Sequence, residues 1–288
     1  MGIVPGQLTS APEPLRRRYG LFTAASGPVD LPLPHGRGGG VRFIPVTCGV
    51  AHPYPVQCYD GLVEVPEDGK PVDGPDHEFE TGVFAVVASE ECGSAGFTAA
   101  EFEARVRRRL DNGEQGAAEL ALWTGLDPDG NALGIPHLAE TTDTVTVSNP
   151  MEIQAVVAAL EDWAYRVQGH GHVAYIHAPV AVAAWAADAD LVIDDGPLKR
   201  TPYGSVWIFG GGYPGTGASG APAPDGGAYI HVTGQVQVWR SPESFVYPTN
   251  QTMNRTTNQR LLIAEREYAI SFDCMNGRAL FDPLGGVS

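Results

Sequence analysis

The chain has only two lysines, Lys70 and Lys199, against sixteen arginines, and its 18 basic groups face 34 acidic ones. A formal charge of −16 excludes a protein that reads nucleic acid over its whole surface. Cysteine is scarce: Cys48, Cys58, Cys92 and Cys274 show no CxxC spacing. That is too sparse for a disulfide-built secreted scaffold, so the four read as reduced, mostly buried thiols, with a Cys48–Cys58 bridge as the alternative. Long apolar runs are missing as well. The longest, Val173 to Ala187, is broken by His177, Pro179 and its own alanines, and is too short and polar to span a bilayer. The opening residues lack the basic-then-apolar order of a secretory signal, because Arg16, Arg17 and Arg18 follow polar residues.

Glycine and proline, by contrast, are plentiful at 36 and 24, which predicts many turns and long loops rather than a helical bundle. At 288 residues and 43% hydrophobic, the chain can bury a sizeable core in one large domain or two smaller ones. Charge is distributed unevenly. Residues 1–59 carry +3, residues 60–103 carry −11, and the remainder carries −8. A mildly basic leader followed by an acidic segment suits packing of one copy's leader on another copy's acidic region; two solvated surfaces are the plainer alternative.

Residues 1–45 hold Pro5, Pro12, Pro14, Pro32, Pro34 and Gly38 to Gly40, with no hydrophobic period that could build a core. They read as an extended arm with one short strand from Val41 to Val46. Residues 49–80 are a long Pro-, Gly- and acid-rich excursion. Thr81 to Ser89 reads as a buried strand. Thr98 and Glu101 form a capping box for a helix reaching Gly125, with Phe102, Val106 and Leu110 as its stripe. Gly113 and Gly116 predict a kink or local break within it. Asn149, Pro150 and Glu152 open a second helix that ends before Gly169. A strand from His172 to His177 follows, then a short helix opened by Pro179. The remainder reads as strands at Val206–Phe209, Tyr229–Trp239, Leu261–Phe272 and Arg278–Phe281. The class is α+β.

None of the candidate chemistry holds together. Gly210, Gly212 and Gly215 spell GxGxxG after a strand, but Pro214, Pro222 and Pro224 forbid the helix a dinucleotide site needs. Ser219 lacks the last glycine of a nucleophile elbow. Asp127, Asp129 and Asn131 imitate a calcium loop, yet the glycine comes at the fourth position and Leu138 at the twelfth, which favours a turn. His170, His172 and His177 are the best metal candidates, the basis of an alternative reading as a soluble metal-dependent hydrolase. No acid or cysteine lies at ligand spacing, so helix-end and core histidines are preferred. Asp188, Asp190, Asp194 and Asp195 read as an exposed acidic loop.

The segments LALWTG, DPDGNALGI, NPMEIQAVVAALEDW, HVAYIHAPVAVAAW, GAYIHVTGQVQVWRS and LLIAEREYAISFDCMNGRALF resemble, in order, the shell proteins of tailed phages and the related encapsulins. These share the Hong Kong 97-like capsid fold. The arginine-rich, lysine-poor usage looks actinobacterial. The resemblance implies an N-terminal arm (1–45), an extended loop with flanking strands (46–96) and a peripheral domain with its spine helix (97–148). It further implies an axial domain (149–228) and return strands of both domains (229–288). The implied function is a non-enzymatic major capsid protein without cofactors, self-assembling as pentamers and hexamers into an icosahedral head around double-stranded DNA. Weak nonspecific DNA contact, scaffold, portal and decoration proteins, assembly in the host cytoplasm and residence in the virion go with it, and no membrane. An encapsulin-like compartment is the alternative within the fold. Assembly contacts are expected at Arg16, Arg17, Arg18, Glu64, Glu67, Asp68, Lys70, Asp188, Asp190, Asp194 and Asp195. Lys70 is also the one candidate for a covalent cross-link, with Asn250, Asn254 or Asn258.

Overall fold

The computed structural model describes residues 19–31, 40–44, 79–93, 98–141, 143–168, 173–246 and 259–285. Arg16, Arg17, Arg18, Glu64, Glu67, Asp68, Lys70, Cys48, Cys58, His170, His172, Asn250, Asn254 and Asn258 lie outside these residues, as do most of the expected arm and extended loop.

Among the described residues a 26-residue helix is the longest element. A single turn, α1 (Leu21–Ala24), precedes it, and the helix itself, α2, spans Ala99–Thr124. Its start is the predicted capping box: Thr98 Oγ1 accepts from the Glu101 amide at 3.2 Å, and the Glu101 carboxylate accepts from the Thr98 amide at 2.7 Å. Gly125 ends it in the left-handed conformation (φ 68°), its amide returning to the Ala121 carbonyl at 2.8 Å. The expected break at Gly113 and Gly116 does not occur. Buried Leu110, Glu114, Ala118, Ala121 and Leu122 hold both sides of the glycines against the body, and packing outweighs their helix cost of about 1 kcal/mol each.

One face of α2 lies on a five-stranded sheet. Its centre is β12 (Gln259–Phe272), antiparallel to β4 (Phe84–Gly93) from Gln259↔Gly93 to Tyr268↔Phe84. Also paired with β12 are β10 (Val236–Arg240) and β11 (Ser244–Val246), while β1 (Val29–Asp30) runs parallel to β10. Even-numbered positions point at the helix: Phe84 and Val86 on β4, and Leu262, Ala264, Tyr268 and Ile270 on β12, all buried in one core with Phe102, Val106, Leu110 and Leu122. A separate pair, β2 (Val41–Phe43) and β3 (Phe79–Thr81), is antiparallel.

The second sheet has six strands in the order β13-β9-β5-β8-β7-β6. These are β5 (Tyr175–Pro179), β6 (Ile193–Asp195), β7 (Leu198–Arg200), β8 (Val206–Gly210), β9 (Ala228–Thr233) and β13 (Asn276–Phe281). Helices α3 (Ile153–Gln168) and α4 (Val182–Asp188) cover one face, packing Val156, Leu160, Val182 and Ala186 on Ile176, Trp207, Ile230 and Phe281. The other face meets the C-terminal end of α2.

Several boundaries differ from the sequence reading, each for a local reason. Thr81–Ser89 is not one strand but the end of β3 and most of β4, divided at Gly82-Val83. Tyr229–Trp239 divides at Gly234-Gln235, because Thr233 pairs with Asn276 in one sheet and Val236 with Phe272 in the other. Helix α3 starts at Ile153, since Asn149 closes a turn just before it, its Oδ1 accepting from the Met151 amide at 3.2 Å. Pro179 ends β5 instead of opening α4. The reading of all four cysteines as reduced thiols is corrected too: Cys274 is disulfide-bonded. It occupies a half-buried, left-handed turn position (φ 60°) between β12 and β13 rather than the core.

Candidate assembly surfaces and the joint behind them

Two buried carboxylates on α2 tie the long helix to the elements around it. Glu119 is fully buried, and both oxygens are used: Oε1 accepts from the Leu21 amide (3.1 Å) and Gln115 Nε2 (3.0 Å), Oε2 from the Gly212 amide (2.9 Å). One side chain thereby ties the long helix to α1 and to the glycine loop after β8. Gly212 has to be glycine, because a Cβ there would stand 2.1 Å from the Gly116 carbonyl oxygen.

Glu114 lies one turn or so earlier. Its Oε2 takes Arg266 Nη1 (2.5 Å) and the Tyr268 hydroxyl (2.6 Å), and its Oε1 takes Arg240 Nη1 (3.1 Å). Arg266 also reaches Asp111 (2.8 Å) and Glu243 (3.3 Å), and Glu243 binds Arg107 (2.6 Å). Arg107, Asp111 and Glu114 are spaced to share one helix face, so the network clamps that face to β10 and β12. Burial lowers the Arg266 pKa, but the bonds to Glu114 and Asp111 outweigh it, and the net shift is upward. Nothing in the sequence singles out Glu114, Glu119 or Arg266. Helical acids four to five positions apart ordinarily face water.

Where α2 meets the six-stranded sheet, the polar groups are buried. His177 Nε2 donates to Thr233 Oγ1 (2.9 Å), whose own proton goes to the Gly234 carbonyl, so His177 Nδ1 accepts from the Tyr213 hydroxyl (2.9 Å). His231 faces the Asn276 side chain (3.3 Å) and packs edge-to-face with Trp123, 4.8 Å between ring centres. Burial lowers the pKa of each histidine to about 3, with His231 adding to the effect at His177. His177 is therefore a neutral core histidine with both ring nitrogens engaged, which removes it from the metal-site alternative. Among the described residues no group of three or more His, Cys, Asp or Glu could hold a metal ion, and no helix is long and apolar enough to cross a membrane.

Of the expected contact residues, four fall within the described chain. Asp188 ends α4 and Asp190 follows it at φ 56°. Asp194 and Asp195 lie not in a loop but on β6, which forms a hairpin with β7; Asp194 pairs with Lys199, and Asp195 with Arg200 at 2.6 Å. The acidic patch is thus partly neutralised from within. The Asp127 turn is as expected, Oδ1 accepting from the Asp129 (2.9 Å) and Asn131 (2.8 Å) amides.

No protein-family model matches the sequence, and no curated protein matches it. Solved structures do resemble it in fold along nearly the whole chain. The capsid of an empty GTA particle superposes with a TM-score of 0.55 at 11% identity, covering 97% of this chain and 95% of that one. The capsid of Ralstonia phage GP4 gives 0.54 at 11% identity over 98% and 96%. The structure of Gordonia phage Cozz gives 0.54 at 10% identity over 96% and 91%. Identities this low speak for the fold alone: a long helix on one sheet, abutting a second sheet covered by two helices. The chain has the Hong Kong 97-like fold of phage capsid proteins.

Proposed function

We propose that the chain is the major capsid protein of a tailed double-stranded DNA phage, a structural subunit rather than an enzyme. The observation that carries this is the end-to-end fold likeness to two capsid structures, over 97% or more of the chain in each. The physics supports it. Among the described residues, the core histidines His177 and His231 are sealed from solvent. The strongest networks join elements within the subunit. Such a body gains its stability in use from many modest contacts to neighbouring copies, whose effects multiply once the first is made. The partners are copies of the same chain in pentamers and hexamers. Double-stranded DNA lies inside, held weakly because the protein carries −16. Scaffold, portal and decoration proteins complete the head, which assembles in the host cytoplasm and persists in the virion.

Gradient sedimentation of the expressed chain, followed by negative-stain microscopy, tests this. Closed, uniformly curved particles or their pentamers and hexamers are expected. A small monomer under all salt and concentration conditions would overturn it.

A further inference from the structure

Cys274 carries its disulfide at the turn between β12 and β13, where the chain passes from the five-stranded sheet to the six-stranded one. The sequence offers three partners: Cys48, Cys58 and Cys92. Register excludes Cys92. It lies opposite Arg260 near the start of β12, whereas Cys274 comes just after that strand ends at Phe272. From Arg260 to Phe272 an extended strand runs roughly 40 Å. The Cα atoms of a disulfide lie within about 7 Å of each other. Both remaining cysteines belong to the segment that joins β2 to β3.

That segment leaves and returns beside the same end of β12 as Cys274. Val41 on β2 packs with Ala269, and the Phe43 ring lies 5.8 Å from that of Trp239, which pairs with Ala269. On the return, Thr81 Oγ1 donates to the Ile270 carbonyl at 2.7 Å. Cys274 follows Ile270, and Cys48 follows Ile44, by four residues each. Either stretch reaches about 14 Å.

We propose that Cys274 is joined to the β2–β3 segment through Cys48 or Cys58, and that this bond is an oxidation-driven staple between the segment and the turn linking the two sheets. Its timing rests on the shell-subunit reading. Subunits made in the host cytoplasm meet a reducing pool that keeps thiols reduced, so the staple closes after the head leaves the cell. The reaction is thiol–disulfide exchange with a small-molecule disulfide. One cysteine thiolate attacks a sulfur of that reagent and expels one small thiol. The second cysteine attacks the mixed disulfide and expels the other. The two protein thiols thereby lose two protons and two electrons as their S–S bond forms, and the reagent is reduced to two thiols. Cys274 is half-buried rather than sealed, which leaves it open to exchange. The bond closes a loop of more than 200 residues, from position 48 or 58 to 274. Such a loop restrains the unfolded chain far more than a local Cys48–Cys58 bridge would.

The test uses the full chain, purified in dithiothreitol and divided. One half is oxidised with glutathione disulfide. Free thiols are alkylated, and unreduced digests are read by mass spectrometry. The oxidised half should yield the Cys274 peptide linked to that of Cys48 or Cys58, and the reduced half four alkylated cysteines. Oxidation should raise the melting temperature by about 10 °C, and Cys274→Ser should abolish that rise while leaving particle yield unchanged. Mapping the wild type reports the linkage even if the variant misfolds. Cys274 found alkylated after oxidation, or linked to Cys92 or to another chain, would overturn the proposal and leave the shell reading intact. A bond already complete in chain taken from reducing cytoplasm without oxidant would overturn its timing. Particle formation is scored on the same samples, so its absence strikes the shell reading separately from the linkage.

Discussion

Single residues decide how firmly α2 is held. Glu114 accepts from two arginines and a tyrosine in an almost buried position. Removing it leaves Arg266, itself largely buried, short of its main acceptor. Glu114→Ala should destabilise the unassembled subunit by about 3 kcal/mol, read by urea unfolding. The histidines set a pH dependence. With folded pKa values of about 3 against about 6.5 when unfolded, the unfolded chain binds more protons between those limits. Stability from these groups is full above about pH 6.5 and is lost as pH falls towards 3. Each costs roughly 2 kcal/mol at pH 5. Melting temperatures at pH 7 and pH 5 should show the fall, and His177→Gln should remove about half of it. A core histidine was legible in the sequence, because on a strand His177 shares a face with Val173 and Tyr175. Its partners Tyr213 and Thr233, 36 and 56 positions away, were not.

At the scale of elements, the continuous helix is the instructive difference. Gly113 and Gly116 have the local preference of a break, yet α2 runs through them because the residues on either side pack. A Cβ at Gly113 would meet nothing within 4 Å, so Gly113→Ala should stabilise the subunit by about 0.5–1 kcal/mol. Gly212→Ala should do the opposite, its methyl driven into the Gly116 carbonyl. Thermal unfolding of the two variants against wild type separates these outcomes by sign. The capping box at Thr98 and the strand at Leu261–Phe272 were readable because local chemistry determines them. The divided strands at Thr81–Ser89 and Tyr229–Trp239 were not. Their apolar pattern continues across the division, and only partner strands distant in sequence decide where each half pairs.

For the whole molecule, the order of elements spoke more clearly than any motif. A capped long helix, a turn, a second helix, a strand and helix, and closing strands were legible and imply the capsid fold. The sequence could not reveal which exposed residues form contacts, since contact-forming and merely solvated side chains look alike until burial is known. Asp194 and Asp195, expected at a contact with a neighbour, are exposed and also pair with Lys199 and Arg200 within their own hairpin. The central claim is that this body exists to tile a closed shell. Cryo-microscopy of particles purified from cells expressing the chain tests it most directly. The account predicts icosahedral shells whose every position is filled by this two-sheet subunit. A monodisperse monomer with no shell at any concentration would contradict it.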